Sequence, residues 1–242
     1  MDGIWLLKEL GVYSDDPKED EEINKKLKEF LVSLGYTLPQ IKRIDMKSND
    51  YRMEICRYIK NNYPTIYQDT KSLPWAYEGK SKIRAIVLGA DPSNTTYNKR
   101  FEFVFGLEKK NSQYFKGIES NLNWLGLSLD DIYVQNIIQN YFKVETSKNK
   151  QWFECALLWL EYLKRELDER FDRNIPVFVT SWEILKVLVG KEVIKKYSAH
   201  SIYVDGKVFD KNENYMGRKV ICLFRHRKYE LKKWSKYLVY SK

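Results

Sequence analysis

The chain has 242 residues, 43% of them hydrophobic, with a formal net charge of +9 and a pI near 9.2. That length suits one α/β domain, or such a domain with an appended helical piece, and the apolar fraction is enough for a sizeable core. No apolar run approaches the roughly 20 residues that span a bilayer, and three distant cysteines with two histidines form neither a disulfide framework nor a structural zinc or iron–sulfur site.

The N-terminus lacks the basic start and small-residue cleavage pattern of a secretory signal, so the expected protein is intracellular, cytoplasmic, metal-free and without membrane contact. A basic chain with 15% aromatic residues suits nucleic acid, where cations meet phosphates and rings stack on bases. Lysine–glutamate helices with solvated faces are the plainer source of the same composition. The distribution is uneven: residues 15–22 are acidic and residues 219–242 strongly basic.

In chain order, residues 20–34 place Ile23, Leu27, Phe30, Leu31 and Leu34 on one helical face, with Gly35 as a stop. Residues 49–61 predict a second helix, capped by Asn49 or Asp50, with Met53, Cys56 and Ile59 on one side. Prolines 64 and 74 make residues 63–80 an irregular connection. Residues 1–80 thus read as a helical N-terminal extension packed on the core, and residues 81–242 as an α/β domain. There, apolar runs at 83–88, 131–138, 175–180 and 219–224 predict strands. Helices are predicted at 114–125, 150–171 and 181–189, the last capped by Ser181, and residues 193–215 read as a loop or short hairpin. The alternation predicts an α/β fold: a central parallel sheet of about four strands with helices on both faces.

The first strand, IRAIVLGADPS, stops at Gly89 and delivers Ala90, Asp91, Pro92 and Ser93 to the edge where open α/β sheets bind ligands. A carboxylate on a loop stiffened by proline can orient water or stabilise positive charge; Asp-Pro-Ser is equally ordinary turn or cap chemistry. Asn136 sits in an apolar strand, where its amide must find partners, either structural or on the edge of a base. Phe103 and Phe105 lie in a short extended run, as core residues or as a platform for a planar ligand. His226 follows the last strand, among Arg225, Arg227 and Lys228.

Taken in order, these pieces resemble the uracil-DNA glycosylase superfamily. Its pattern is a strand ending in Gly-x-Asp-Pro-Tyr, a stacking Phe, a strand-borne Asn, and a final strand ending in His-Pro-Ser before a DNA-penetrating loop. The matching residues are Gly89-Ala90-Asp91-Pro92-Ser93, Phe105-Gly106-Leu107, Asn136 in VQNIIQN and His226 in LFRHRKY, covering about residues 83–229. The resemblance implies that Asp91 and His226 are catalytic. Asp91 would stabilise the sugar cation and orient water, and His226 would hydrogen-bond the departing base. Gly89, Ala90, Ser93, Phe105 and Asn136 would bind the base, and Arg225, Arg227 and Lys228 the DNA. It implies no cofactor, DNA as partner and a monomer. Ser93 stands where uracil-specific members carry a tyrosine that excludes a 5-methyl group, which implies a pocket open to 5-substituted pyrimidines, such as a modified base in viral DNA. His226-Arg227-Lys228 in place of His-Pro-Ser implies a more basic loop. The alternatives are a non-catalytic nucleic-acid-binding relative and an unrelated doubly wound enzyme acting on a small nucleotide. The absence of a glycine-rich phosphate loop counts against the second.

Overall fold

The four apolar runs become four parallel strands because each is buried on both faces and so needs no polar alternation. The computed structural model describes residues 50–69, 73–92, 101–108, 113–203 and 205–223. In it, β2 (Ala85–Gly89) pairs in parallel with β3 (Ile132–Asn136) and β4 (Val177–Val179), and β4 pairs in parallel with β6 (Val220–Cys222). The sheet is nevertheless mixed and six-stranded, not a four-stranded parallel one. β1 (Tyr77–Glu78) lies antiparallel on β3, and β5 (Val208–Phe209) antiparallel on β6, giving the order β1-β3-β2-β4-β6-β5. Both added strands are two residues long, too short for a period-2 pattern, and they exist because β3 and β6 would otherwise expose unpaired backbone edges.

Successive side chains point to opposite faces. Ile86, Leu88, Tyr133, Val177, Val179, Val220 and Cys222 enter one core, whereas Ala85, Val87, Ile132, Val134, Phe178 and Ile221 enter another. The first core is covered by α1 (Asp50–Asn62), α3 (Trp152–Arg170) and α4 (Trp182–Val189), with the short α5 (Lys191–Ile194) and α6 (Ala199–Tyr203) beyond them. The second is covered by α2 (Gln113–Trp124) through Leu122, with Leu125 and Leu127 following. Helices therefore cover both faces. Ser181 caps α4 as expected, its hydroxyl accepting from the Ile184 N–H at 3.4 Å.

Three expectations need correction. Met53 is exposed, not in the core of α1, because the buried stripe is centred on Ile55, Cys56 and Ile59; at about 100° per residue Met53 lies on the far side of the helix from Ile55. Residues 63–80, read as irregular, include β1. Residues 193–215 hold α6 and β5, the latter paired with β6 in the manner of a hairpin. The helix predicted at 20–34 lies outside the described residues.

At the end of the sheet remote from Asp91, Arg218 is fully buried where the chain enters β6. Its Nη2 donates to the carbonyls of Leu167 at 3.0 Å and Phe171 at 2.8 Å and to Asp168 Oδ1 at 3.0 Å, and its Nη1 donates to the Asp172 carbonyl. A guanidinium thus bonds carbonyls at and just beyond the α3 C-terminus and complements the helix dipole there, with its Nε left unpaired. Arg218→Met should lower the free energy of unfolding by about 3–5 kcal/mol, the usual cost of leaving such a network unpaired. Urea denaturation at unchanged slope is the measurement.

Candidate active site at the carboxyl edge of the sheet

β2, β3, β4 and β6 all run in one direction, so their C-terminal ends share an edge. The connection leaving β2 runs to β3 on one side and that leaving β4 runs to β6 on the other. This is a topological switch point, where open α/β sheets form their ligand crevice. Gly89 and Asn136 are register partners at the ends of β2 and β3. The pairing carries on beyond the strands, with Ile137 N–H donating to the Gly89 carbonyl at 2.8 Å and Ile138 N–H to the Ala90 carbonyl at 3.0 Å.

Gly89 is required by close approach. A Cβ there would lie 2.2 Å from Asn136 Oδ1 and 2.7 Å from Phe105 Cζ, distances no real Cβ tolerates. The Asn136 carboxamide, the Phe105 ring and the Gly89 backbone therefore meet at one point. Asn136 is 3% exposed, and its carboxamide has no hydrogen-bond partner among the described residues. Its backbone N–H is served separately, donating to Gln135 Oε1 at 2.9 Å. Its carboxamide is therefore left to bond whatever enters the edge beside Gly89.

Phe105 does not lie in an extended run. It sits in a 3₁₀ turn, Val104–Gly106, with φ 59° and ψ 4°. A left-handed conformation is rare for a bulky aromatic residue and costs of order 1–3 kcal/mol, which persists where the surroundings over-determine it. They do so here. Trp75 N–H donates to the Glu102 carbonyl at 2.8 Å and Val104 N–H to the Trp75 carbonyl at 2.9 Å. The Glu108 carboxylate accepts from the N–H groups of Glu102 and Phe103 at 3.1 and 3.2 Å. The loop is pinned on both sides and holds the ring tip over Gly89.

Two residues beyond Gly89, the Asp91 carboxylate accepts from the Thr146 hydroxyl and from Trp152 Nε1–H, the latter at 3.1 Å, both through Oδ1. Burial raises its pKa from 3.8 to about 6, against the lowering effect of those two donors. Desolvation outweighs the two donors, of which Trp152 is itself buried. Sequence reasoning missed Thr146 and Trp152. They lie 55 and 61 residues from Asp91, on a connection and a helix start with no local signal of their own.

The structure thus brings together Gly89, Ala90, Phe105 and Asn136, with Asp91 on the same loop. Ser93, Arg225, His226, Arg227 and Lys228 lie outside the described residues. No helix among the described residues is long and apolar enough to cross a membrane. No protein-family model matches the chain, and no curated protein matches it in sequence.

The Asp91 shift has a definite sign in stability. Its folded pKa is raised, so the folded state is most favoured while the group is protonated, and stability is lost as pH rises from about 4 through about 6. Asp91→Asn keeps an acceptor for both donors and removes the charge. It should therefore be more stable than the wild type above pH 6, by on the order of 1–3 kcal/mol. The difference should vanish below pH 4, as thermal unfolding at both pH values will read.

Proposed function

We propose that this protein is a DNA glycosylase that hydrolyses the N-glycosidic bond of an extruded uracil or 5-modified pyrimidine. The observation that carries the reading is the meeting of the Asn136 carboxamide, without a partner among the described residues, with the tip of the Phe105 ring at Gly89, two residues before a desolvated carboxylate. A pyrimidine presents a carbonyl and an N–H or amine on its pairing edge, and one carboxamide supplies the complementary donor and acceptor. An aromatic face stacks the base. A carboxylate removed from water interacts strongly with the positive charge that develops on the sugar as the bond to the base breaks. In this reading His226, which follows β6, donates to the base oxygen as negative charge gathers there. Arg225, Arg227 and Lys228 hold the phosphates beside the flipped nucleotide. Ser93 leaves space at the C5 position of the base.

The alternative of a non-catalytic DNA-binding relative leaves the destabilising ionisation of Asp91 without a use. Binding a polyanion gains nothing from a desolvated, half-buried carboxylate, and the cost of keeping one argues for chemistry.

Base release from DNA carrying uracil, thymine mismatches or 5-substituted cytosines is the direct assay. The expected outcome is release from at least one substrate, with a single-turnover rate that rises about tenfold per pH unit up to about pH 6 and then levels off, since the carboxylate is the active form. Asp91→Asn should lower the plateau by about 10²–10³ while leaving the protein folded. DNA retention without base release across the whole panel would instead favour the non-catalytic relative. Replacing Arg225, Arg227 and Lys228 together by Ala should flatten the salt dependence of binding to duplex DNA. Each lost phosphate contact should remove about 0.9 from the slope of log K against log salt, measured by titration at several salt concentrations.

A further inference from the structure

Both donors to Asp91 reach the same oxygen. The Thr146 hydroxyl and the Trp152 indole N–H each bond Oδ1, and among the described residues Oδ2 has no donor. A carboxylate held in this way cannot rotate about its Cβ–Cγ bond without losing both hydrogen bonds, so its two oxygens are no longer equivalent. Resting on the reading of Asp91 as the glycosylase carboxylate, we propose that Thr146 and Trp152 are positioning residues that anchor Oδ1 and present Oδ2 as the oxygen facing water and sugar.

The segment carrying them is built as one rigid piece. Thr146 opens a 3₁₀ turn, Thr146–Lys148, and Trp152 opens α3. Asn149 joins the two: its N–H donates to the Thr146 carbonyl at 3.3 Å, its carbonyl accepts from Trp152 N–H at 3.1 Å, and its Oδ1 accepts from Gln151 N–H at 3.1 Å. Upstream, Trp159 Nε1 donates to Asn140 Oδ1 at 2.9 Å, which ties the chain leaving β3 back to α3. Two donors six residues apart are thereby fixed relative to each other and to the β2 loop. Trp152 is the more constrained of the pair, buried on the first turn of a 19-residue helix.

In the hydrolytic step, Oδ2 accepts a proton from water as the water oxygen bonds to the anomeric carbon. The bond from that carbon to the base nitrogen breaks, and its electron pair leaves with the base. The proton on Asp91 then passes to solvent or to the departed base. Oδ1 stays occupied by its donors throughout, and both donors favour the ionised form that must exist at the start. The other titratable groups around the clamp do not compete for this role. The Cys155 thiol on α3 is pushed up to about 12, by burial first and then by the negative charges of Glu154 and Asp91, so it stays neutral. Glu154 is engaged by the Tyr63 hydroxyl at 2.9 Å, and Glu145 and Lys148, beside Thr146, form an exposed ion pair at 2.9 Å.

The test follows the Asp91 carboxyl carbon by NMR, using aspartate labelled with carbon-13 at that carbon and Asp91→Asn to assign the signal. This readout needs no substrate. Thr146→Val and Trp152→Phe each remove one donor to the ionised form, so each should move the titration midpoint upward by about one pH unit. Thr146→Ser, which keeps the hydroxyl, should restore the wild-type midpoint. Thr146 is only partly buried, so Thr146→Val remains decisive if Trp152→Phe does not fold. On whichever DNA substrate the wild type cleaves, the acidic limb of base release should move with the NMR midpoint, and the plateau should fall by about tenfold or more as the carboxylate loses its orientation. An unmoved midpoint in folded Thr146→Val overturns the clamp whatever the activity. Failure of the wild type to release any base overturns the glycosylase reading, and the titration still decides whether Thr146 and Trp152 hold Asp91.

Discussion

The contact on which the candidate site depends is the absence of a side chain at Gly89. β2 and β3 are in register there, and the space a Cβ would fill is taken by the Asn136 carboxamide on one side and the Phe105 ring on the other. Any larger residue would force strand, amide or ring to move. Because the strands are buried on both faces and locked by ladder hydrogen bonds, the strands would yield last. The glycine thus lets three elements far apart in sequence meet within a few ångströms: the end of β2, the end of β3, and the loop pinned by Trp75 and Glu108.

Three features meet at this edge. An amide has no hydrogen-bond partner among the described residues, a phenylalanine adopts a left-handed conformation, and burial pushes the pKa of a carboxylate up to about 6. The last two each oppose folding by on the order of 1–3 kcal/mol, and all three features fall within one crevice. The remote end of the sheet buries a charge that is hydrogen-bonded through both Nη atoms, with Nε left unpaired. There Arg218 is buried with four oxygen acceptors within reach and closes the C-terminus of α3. The clamp on α3 and the reactive groups thus sit at opposite ends of the sheet.

α3 connects the two ends. It runs antiparallel to the parallel strands, its first residue, Trp152, holding Asp91, and its last turn held by Arg218 where β6 begins. Nineteen residues at about 1.5 Å rise make it close to 28 Å long, enough to span the sheet from one edge to the other. The stripe from Cys155 through Leu167 that packs on the first core fixes its rotation, and the indole N–H of Trp152 is aimed as a consequence.

How much was legible in the chain follows the range of the interactions. The four apolar runs, the helices at 49–61, 114–125 and 150–171 and the Ser181 cap are local matters of burial and spacing, and each appears within a residue or two of its expected place. Gly89, Asp91 and Asn136 were legible as residues out of keeping with their surroundings: a glycine ending a buried run, a carboxylate behind it, an amide among apolar neighbours. The edge strands β1 and β5 were not, because two residues carry no periodicity and their pairing is dictated by partners more than ten residues away. Nor was the turn at Phe105, whose backbone is set by Trp75 and Glu108 and not by its own preference. The two donors on Asp91 were invisible for the same reason: threonine and tryptophan at those positions have ordinary local roles. The sequence by itself determined the parallel α/β core and the residues that sit uneasily in it. The order of the strands, the meeting of amide, ring and glycine, and the hold on Asp91 Oδ1 were decided by tertiary structure, since hydrogen bonds spanning 55 and 61 residues form only after the sheet has chosen its order.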